Sequence, residues 1–158
     1  MRSTKKLLMS ITLAAMISLP VHAADPECMT IVPVDTEEQI AQEITDVELE
    51  LLACLVWAEA RGEDQLGKQL VVDVVLNRVD DPRFPNTITD VIYQRYQFSP
   101  VLDGSLRQAF SNVTEECYEA VAAELENRTD NEVLYFTAGG YGRYGSPAFS
   151  HQHHFFSK

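Results

Sequence analysis

Between Gln65 and Val79 the chain carries Leu66, Leu70, Val71, Val72, Val74, Val75 and Leu76, so a helix over this stretch is apolar on nearly all sides. Its β-branched run would also suit a strand, but the length and unbroken character favour a buried central helix. A helix without a polar face has to be wrapped by other elements. The remaining segments are therefore read as what surrounds it.

The wrapping begins just upstream. Thr45-Asp46-Val47-Glu48 sets a hydroxyl and a carboxylate three residues apart, where each caps a backbone N–H of the other, and Ile44 and Leu49 are spaced as the accompanying hydrophobic staple. A helix is predicted from there to Arg61, stopped by a left-handed Gly62. Downstream, Asp80 to Asn86 reads as a loop, because Pro82 and Pro85 fix the backbone and remove donors. Thr89 to Tyr96 reads as a short helix, Phe98-Ser99-Pro100 as a break and Asp103-Gly104 as a turn. A further helix starts near Ser105, and another runs from Thr114 to about Asn127, with Glu115 and Glu116 at its positive end. Val133 to Phe136 and His154 to Phe156 read as short strands, joined by a loop that carries Gly139, Gly140, Gly142 and Gly145. The fold class is α+β, mostly helical, with a small β element near the C-terminus.

The first residues read differently. Arg2, Lys5 and Lys6 precede an apolar run from Leu7 to Leu19, and Val21-His22-Ala23 supplies small residues before Asp25, the pattern of a cleavable signal peptide over residues 1–23. That apolar core is shorter than the roughly 20 residues of a transmembrane helix. Export is expected, to the periplasm, the cell wall or the exterior, with no stable membrane insertion after cleavage. Residues 24–44 form an acidic, Pro- and Thr-containing lead-in without an apolar face, leaving 45–158 as one catalytic domain, expected to act as a monomer. The leader holds three of the 12 Lys and Arg residues and none of the 24 Asp and Glu residues, so the mature chain carries nine cations against 24 acids, a net −15. Such a surface argues against nucleic acid, whose phosphates need clustered cations.

One acid stands where solvation is poor. Leu52, Leu55, Val56 and Glu59 follow the i, i+3, i+4, i+7 spacing of a single helix face, which puts a carboxyl group on an apolar stripe in the last helical turn. Burial and the negative end of the helix dipole both raise the pKa of such a group, and a general acid needs its proton near neutral pH. Spacing alone equally allows a structural ion pair with Arg61 or Arg78. Glu63 lies four residues on, past the expected helix end, where a surface role is the simpler reading.

Several ordered blocks decide between those readings. Leu51 to Glu63, with its Ala-Glu-Ala-Arg-Gly-Glu core, is followed by Val74-Val-Leu-Asn-Arg-Val79, Phe84-Pro-Asn-Thr-Ile88, Val91-Ile-Tyr-Gln94 and Gln97-Phe-Ser-Pro-Val101. Together with Leu134-Tyr-Phe136 and His153-His-Phe-Phe156, they resemble the SleB-type family of spore-cortex-lytic enzymes and cell-wall hydrolases over nearly all of Leu51 to Phe156. The resemblance implies a lysozyme-like catalytic domain that cuts peptidoglycan glycan strands between N-acetylmuramic acid and N-acetylglucosamine. It implies Glu59 as the acid, no cofactor, and either a lytic transglycosylase or a muramidase. The chain departs from the family in having no recognisable peptidoglycan-binding repeat and a His-rich closing segment.

Further residues are assigned as candidates for holding the sugar. Gln97, Phe98 and Ser99 combine an amide, a ring and a hydroxyl, and Tyr135 adds another ring. Glu63 and His153 complete the set, with Tyr141 and Tyr144 on the glycine-rich loop as further groove rings. Each also has an ordinary packing role open to it. His151, His153 and His154 raise a metal-dependent N-acetylmuramoyl-L-alanine amidase as the enzymatic alternative, but no His-Glu-x-x-His helix accompanies them and no metal site is assigned. A non-catalytic wall-binding module is the other alternative. Of Cys28, Cys54 and Cys117, the pair Cys54 and Cys117 is the preferred disulfide, because it would staple two helices.

Overall fold

The computed structural model describes residues 44–158. The expected signal peptide, the expected lead-in up to residue 43 and Cys28 lie outside these residues. Thr45 and Glu48 form the reciprocal cap expected of them, and helix α1 runs Asp46–Ala60. Ile44 and Leu49 both rest on the apolar core beside it. The helix does not end on a left-handed Gly62. Arg61 caps it in a right-handed conformation, and Glu63 N–H closes the turn on the Ala60 carbonyl at 3.0 Å.

Asp64 then starts α2, Gln65–Asp80, by accepting from Gly67 N–H at 2.9 Å. Gly67 is needed here for space, because a Cβ would stand 2.7 Å from Cβ of Glu63. The helix is buried along nearly its whole length, its polar residues included: Lys68, Asp73, Asn77 and Arg78 are all within it and inaccessible. Every one of them reaches a different segment. Lys68 pairs with Glu116 at 2.8 Å, and Asn77 donates to the carbonyls of Asp130 and Val133, both at 2.8 Å. Asp73 accepts from Arg128 at 3.0 Å and from Asp130 N–H at 2.8 Å, and Arg78 Nε donates to the Leu134 carbonyl at 2.7 Å.

Short helices carry the chain across one side: α3, Ile88–Tyr93; α4, Ser99–Asp103; and α5, Ser105–Ala109. Phe98-Ser99-Pro100, expected to be a break, begins α4 instead, since proline lacks only a donor that the first turn leaves unused. Gly104, at φ 84°, kinks α4 into α5. Helix α6, Glu115–Glu126, returns along α1 and α2. Leu52, Leu55, Val56, Val71, Val75, Ile92, Phe98 and Val121 meet in the main core.

The β element has three strands rather than two: β1, Tyr135–Ala138; β2, Pro147–His151; and β3, His154–Ser157. They form one antiparallel sheet in the order β1-β3-β2. The sheet docks on α2 through Leu70, Val74, Val133 and Phe156. Strand β2 has no sequence signature because most of its side chains are exposed, which leaves no apolar alternation to read. Together the six helices and this sheet make the α+β, mostly helical domain expected. Among the described residues, no helix is long and apolar enough to cross a membrane.

The expected Cys54–Cys117 bridge is absent; both are free, buried thiols. They lie close enough for a thiolate at Cys117 to oppose ionisation of Cys54, whose pKa is pushed up to about 11, chiefly by burial and then by Glu50 and Cys117. Cys117 Sγ lies 3.5 Å from Thr114 Oγ1, a contact at the start of its own helix. Both cysteines therefore serve as small apolar residues of the α1–α6 contact.

The Asp73 cluster generates a test. Asp73 is fully buried and sits beside buried Glu124; burial first, and then that neighbouring carboxyl, hold its pKa well above the usual carboxylate range. Arg128 is the cation that compensates it. Arg128→Ala is expected to cost about 2–4 kcal/mol at pH 8, because it strands a buried charge. The cost should shrink at pH 5, where Asp73 holds its proton. Urea denaturation at both pH values checks this, and an equal cost at the two would contradict it.

Candidate active site

Glu59 stands one residue before the end of α1, where the apolar stripe meets the sheet side of the molecule. It opens into a cleft of about 450 Å³ lined also by Arg78, Gln97, Ser99, Thr137 and His154. α1 supplies the acid, α2 the arginine, the α3–α4 connection the amide, the start of α4 the hydroxyl, and β1 and β3 the far wall. Neither expected structural partner binds Glu59. Arg61 stacks 4.9 Å over Trp57, and Arg78 is committed to Leu134.

The environment of Glu59 is that of a proton holder. Its pKa is raised from 4.5 to about 7, first by burial and then by the charge of Asp103. Asp103 is itself held below the ordinary carboxylate range by bonds from Ser105, Oγ at 2.7 Å and N–H at 2.8 Å. It thus stays ionised and repels a second charge on Glu59, yet it does not line the cleft. Among the described residues, Glu59 is the only carboxylate that does.

The other assigned residues separate into three groups. Gln97 and Ser99 line the cleft with Glu59 as expected. Tyr135 lines its continuation, a second cavity of about 390 Å³ that shares Arg78, Tyr96, Gln97, Phe136 and Thr137 with the first. Tyr144 and Gly142 of the glycine-rich loop reach this second part, whereas Tyr141 packs edge-on against Phe155 at 5.2 Å. Phe98 is core, 2% exposed, and its ring faces Phe136 and the Arg78 guanidinium.

Glu63 and His153 lie elsewhere and hold each other. Glu63 is buried and accepts from His153 Nδ1 at 2.9 Å and His153 N–H at 3.4 Å. Beside them His151 donates to Asp64 at 2.7 Å, and Gln152 accepts from Asp64 N–H at 3.1 Å. The tip of the β2–β3 hairpin is thereby sewn to the start of α2. His151 and His153 do not share a strand face, because Gln152 and His153 form the hairpin turn, with Gln152 at φ 46°.

It is His154 that reaches the cleft, buried against Phe136 at 4.9 Å, its Nδ1 without a partner among the described residues. Burial lowers its pKa and so favours the neutral imidazole. The three histidines point to three different surroundings, and among the described residues no group of three or more His, Cys, Asp and Glu is placed to hold a metal ion. The cleft residues that sequence reasoning missed, Arg78, Tyr96, Thr137 and His154, come from four separate segments. Only Tyr96 carries a signal of its own: it is a non-glycine residue at φ 66°, with its ring exposed.

Comparison with known proteins identifies the family. The model of the cell wall hydrolase family matches residues 62–156, and the chain belongs to that family. The match begins just past Glu59. Among curated relatives, a spore cortex-lytic enzyme of Bacillus cereus is 36% identical over 91 residues, covering 56% of this chain and 34% of that protein. One from Bacillus subtilis is 36% identical over 90 residues, covering 56% of this chain and 28% of that protein. The chain thus spans about a third of the length of these relatives.

Two solved structures share the fold. The catalytic domain of the germination-specific lytic transglycosylase SleB from Bacillus anthracis gives a TM-score of 0.65 at 26% identity, over 75% of this chain and all of that one. The catalytic domain of the Bacillus cereus SleB protein gives 0.65 at 27% identity, over 74% and 94%. The lysozyme-like fold expected from the sequence is the one found.

Raising the pKa of Glu59 makes its protonated form the one the fold prefers. The stability this contributes is full below pH 4.5 and is lost as pH rises through about 7. Glu59→Gln should therefore raise stability by roughly 1–3 kcal/mol at pH 8 and by nothing near pH 4. Thermal melts across this range test it. A destabilised variant at pH 8 would mean that the acid is paired rather than stranded.

Proposed function

We propose that this domain cleaves peptidoglycan glycan strands between N-acetylmuramic acid and N-acetylglucosamine, with Glu59 as acid and then base, by the lytic transglycosylase route. The observation that carries the proposal is a proton-holding carboxylic acid that, among the described residues, is the single one lining the cleft. Hydrolysis by paired acids needs a second carboxylate across the sugar, and Asp103, whose charge Glu59 feels, turns away to Ser105. One acid suffices when the substrate supplies its own nucleophile.

In that reaction Glu59 gives its proton to the glycosidic oxygen as the bond from C1 to that oxygen breaks. The muramyl 6-hydroxyl then attacks C1, and its proton passes to the Glu59 carboxylate, leaving a 1,6-anhydro end and a restored acid. No water is consumed. Gln97 and Ser99 offer an amide and a hydroxyl to sugar hydroxyls near the acid. That two relatives are spore cortex-lytic enzymes, and one structural neighbour a lytic transglycosylase, supports the same chemistry here. With the leader read from the sequence, the place of action is the exported side of the membrane, on the wall, as a monomer.

Mass spectrometry of fragments released from purified peptidoglycan tests this. Muropeptides about 18 Da lighter than hydrated ones are expected, with release falling at least about a hundredfold in Glu59→Gln. Activity should also decline above pH about 7, as Glu59 loses its proton. Hydrated reducing ends would make the enzyme a muramidase, free stem peptides lost with a chelator would make it an amidase, and no release at all would leave a binding module.

A further inference from the structure

The far end of the cleft adds a second cation to the one that both ends share. Its cavity is lined by Arg78 and Arg95 and, among the described residues, by no carboxylate, although the whole chain carries a net charge of −12. Arg78 is 3% exposed and makes one hydrogen bond through Nε, while its Nη1 is buried without a partner. Its guanidinium lies among the rings of Phe98, Phe84 and Tyr135 at 5.1, 5.2 and 5.5 Å. Rings hold a cation in place but do not satisfy its N–H donors, so a buried arginine held in this way keeps capacity for an acceptor. At the rim, Arg95 lies 4.6 Å over the ring of Tyr96, whose left-handed backbone sets the ring out on the surface. Backbone strain of this kind clusters at ligand sites.

We propose that this end of the cleft is a subsite for a carboxylate on the muramyl unit of the glycan, with Arg78 as the buried donor and Arg95 as the rim cation. The proposal rests on the glycan-cleaving reading, because the two cavities share Arg78, Tyr96 and Gln97 and one strand spans both. Muramic acid differs from its neighbour in the strand by a lactyl ether that ends in a carboxyl group. That carboxyl is either free or extended by a stem peptide with carboxylates of its own. Arginine recognises either one with paired, charge-assisted hydrogen bonds. The subsite therefore discriminates muramyl-containing strands from neutral N-acetylglucosamine polymers.

Calorimetric titration of the full chain carrying Glu59→Gln, which binds without turnover, tests this with four probes. They are a peptide-free muramyl tetrasaccharide with free lactyl carboxylates, the same sugar with those carboxylates amidated, a stem-peptide-bearing tetrasaccharide, and chitotetraose. A carboxylate-bearing sugar is expected to bind about tenfold tighter than the amidated one, and Arg95→Ala is expected to remove most of that ratio. Preference for the peptide-free sugar assigns the lactyl carboxylate, and preference for the peptide-bearing sugar alone assigns the stem. Arg78→Gln should abolish the ratio; if that variant does not fold, the exposed Arg95→Ala decides. Equal binding of free and amidated sugars, or a ratio unmoved by Arg95→Ala, would overturn the subsite. If wall fragments are still released by the unsubstituted chain, only the subsite has failed. If no probe binds and nothing is released, the glycan reading has failed and the subsite with it.

Discussion

Burying four polar side chains along one helix is the constraint from which the rest of this domain follows. Lys68, Asp73, Asn77 and Arg78 are all buried, and each unmade hydrogen bond in such a place costs on the order of 1–3 kcal/mol. Their partners must come from whatever wraps α2. Glu116 brings the start of α6, Arg128 and Asp130 bring the segment after it, and the Val133 and Leu134 carbonyls bring the chain into the sheet. Apolar burial alone would tolerate several registers of these segments. Directional bonds to fixed positions along one helix admit far fewer.

The cleft is a product of that register. Arg78 fixes the carbonyl of Leu134, and one residue later β1 begins and provides the wall opposite Glu59. At the other side of the sheet, the Glu63–His153 and Asp64–His151 contacts hold the β2–β3 hairpin to the α1–α2 connection, so β3 carries His154 to the same space. The acid and the wall that faces it are thus positioned by separate sets of polar contacts at either end of one helix. Glu63 and His153, assigned from sequence to the sugar, take part in this positioning through their contact with each other.

What could be read from the sequence is what repeats with helical period or caps it. The Thr45–Glu48 box, the apolar length of α2 and the placement of Glu59 on an apolar stripe depend only on neighbours within a few turns, and all three stand in the structure. The misreadings share a different cause. Phe98 was indistinguishable from a groove ring, since its burial depends on Phe136 and Arg78 from distant segments. Strand β2 was invisible because it pairs through its backbone while showing its side chains to solvent. The histidines crowd into four residues of sequence, which hides the two-residue turn that sends them to three places. Pairing of Cys54 and Cys117 looked natural from their helices, yet the structure uses both as packed thiols.

The strand order β1-β3-β2 has a temporal side. β3 is the last of the three in chain order and the only one that pairs with either of the others. Synthesis from the N-terminus therefore adds all six described helices, then β1 and β2, before the strand that both of them bond with. The wall of the cleft that β1 and β3 form needs the last residues of the sheet, so Glu59 on α1 is made long before the residues that enclose it. A polypeptide interrupted anywhere before His154 would carry Glu59 without the β3 side of the cleft around it.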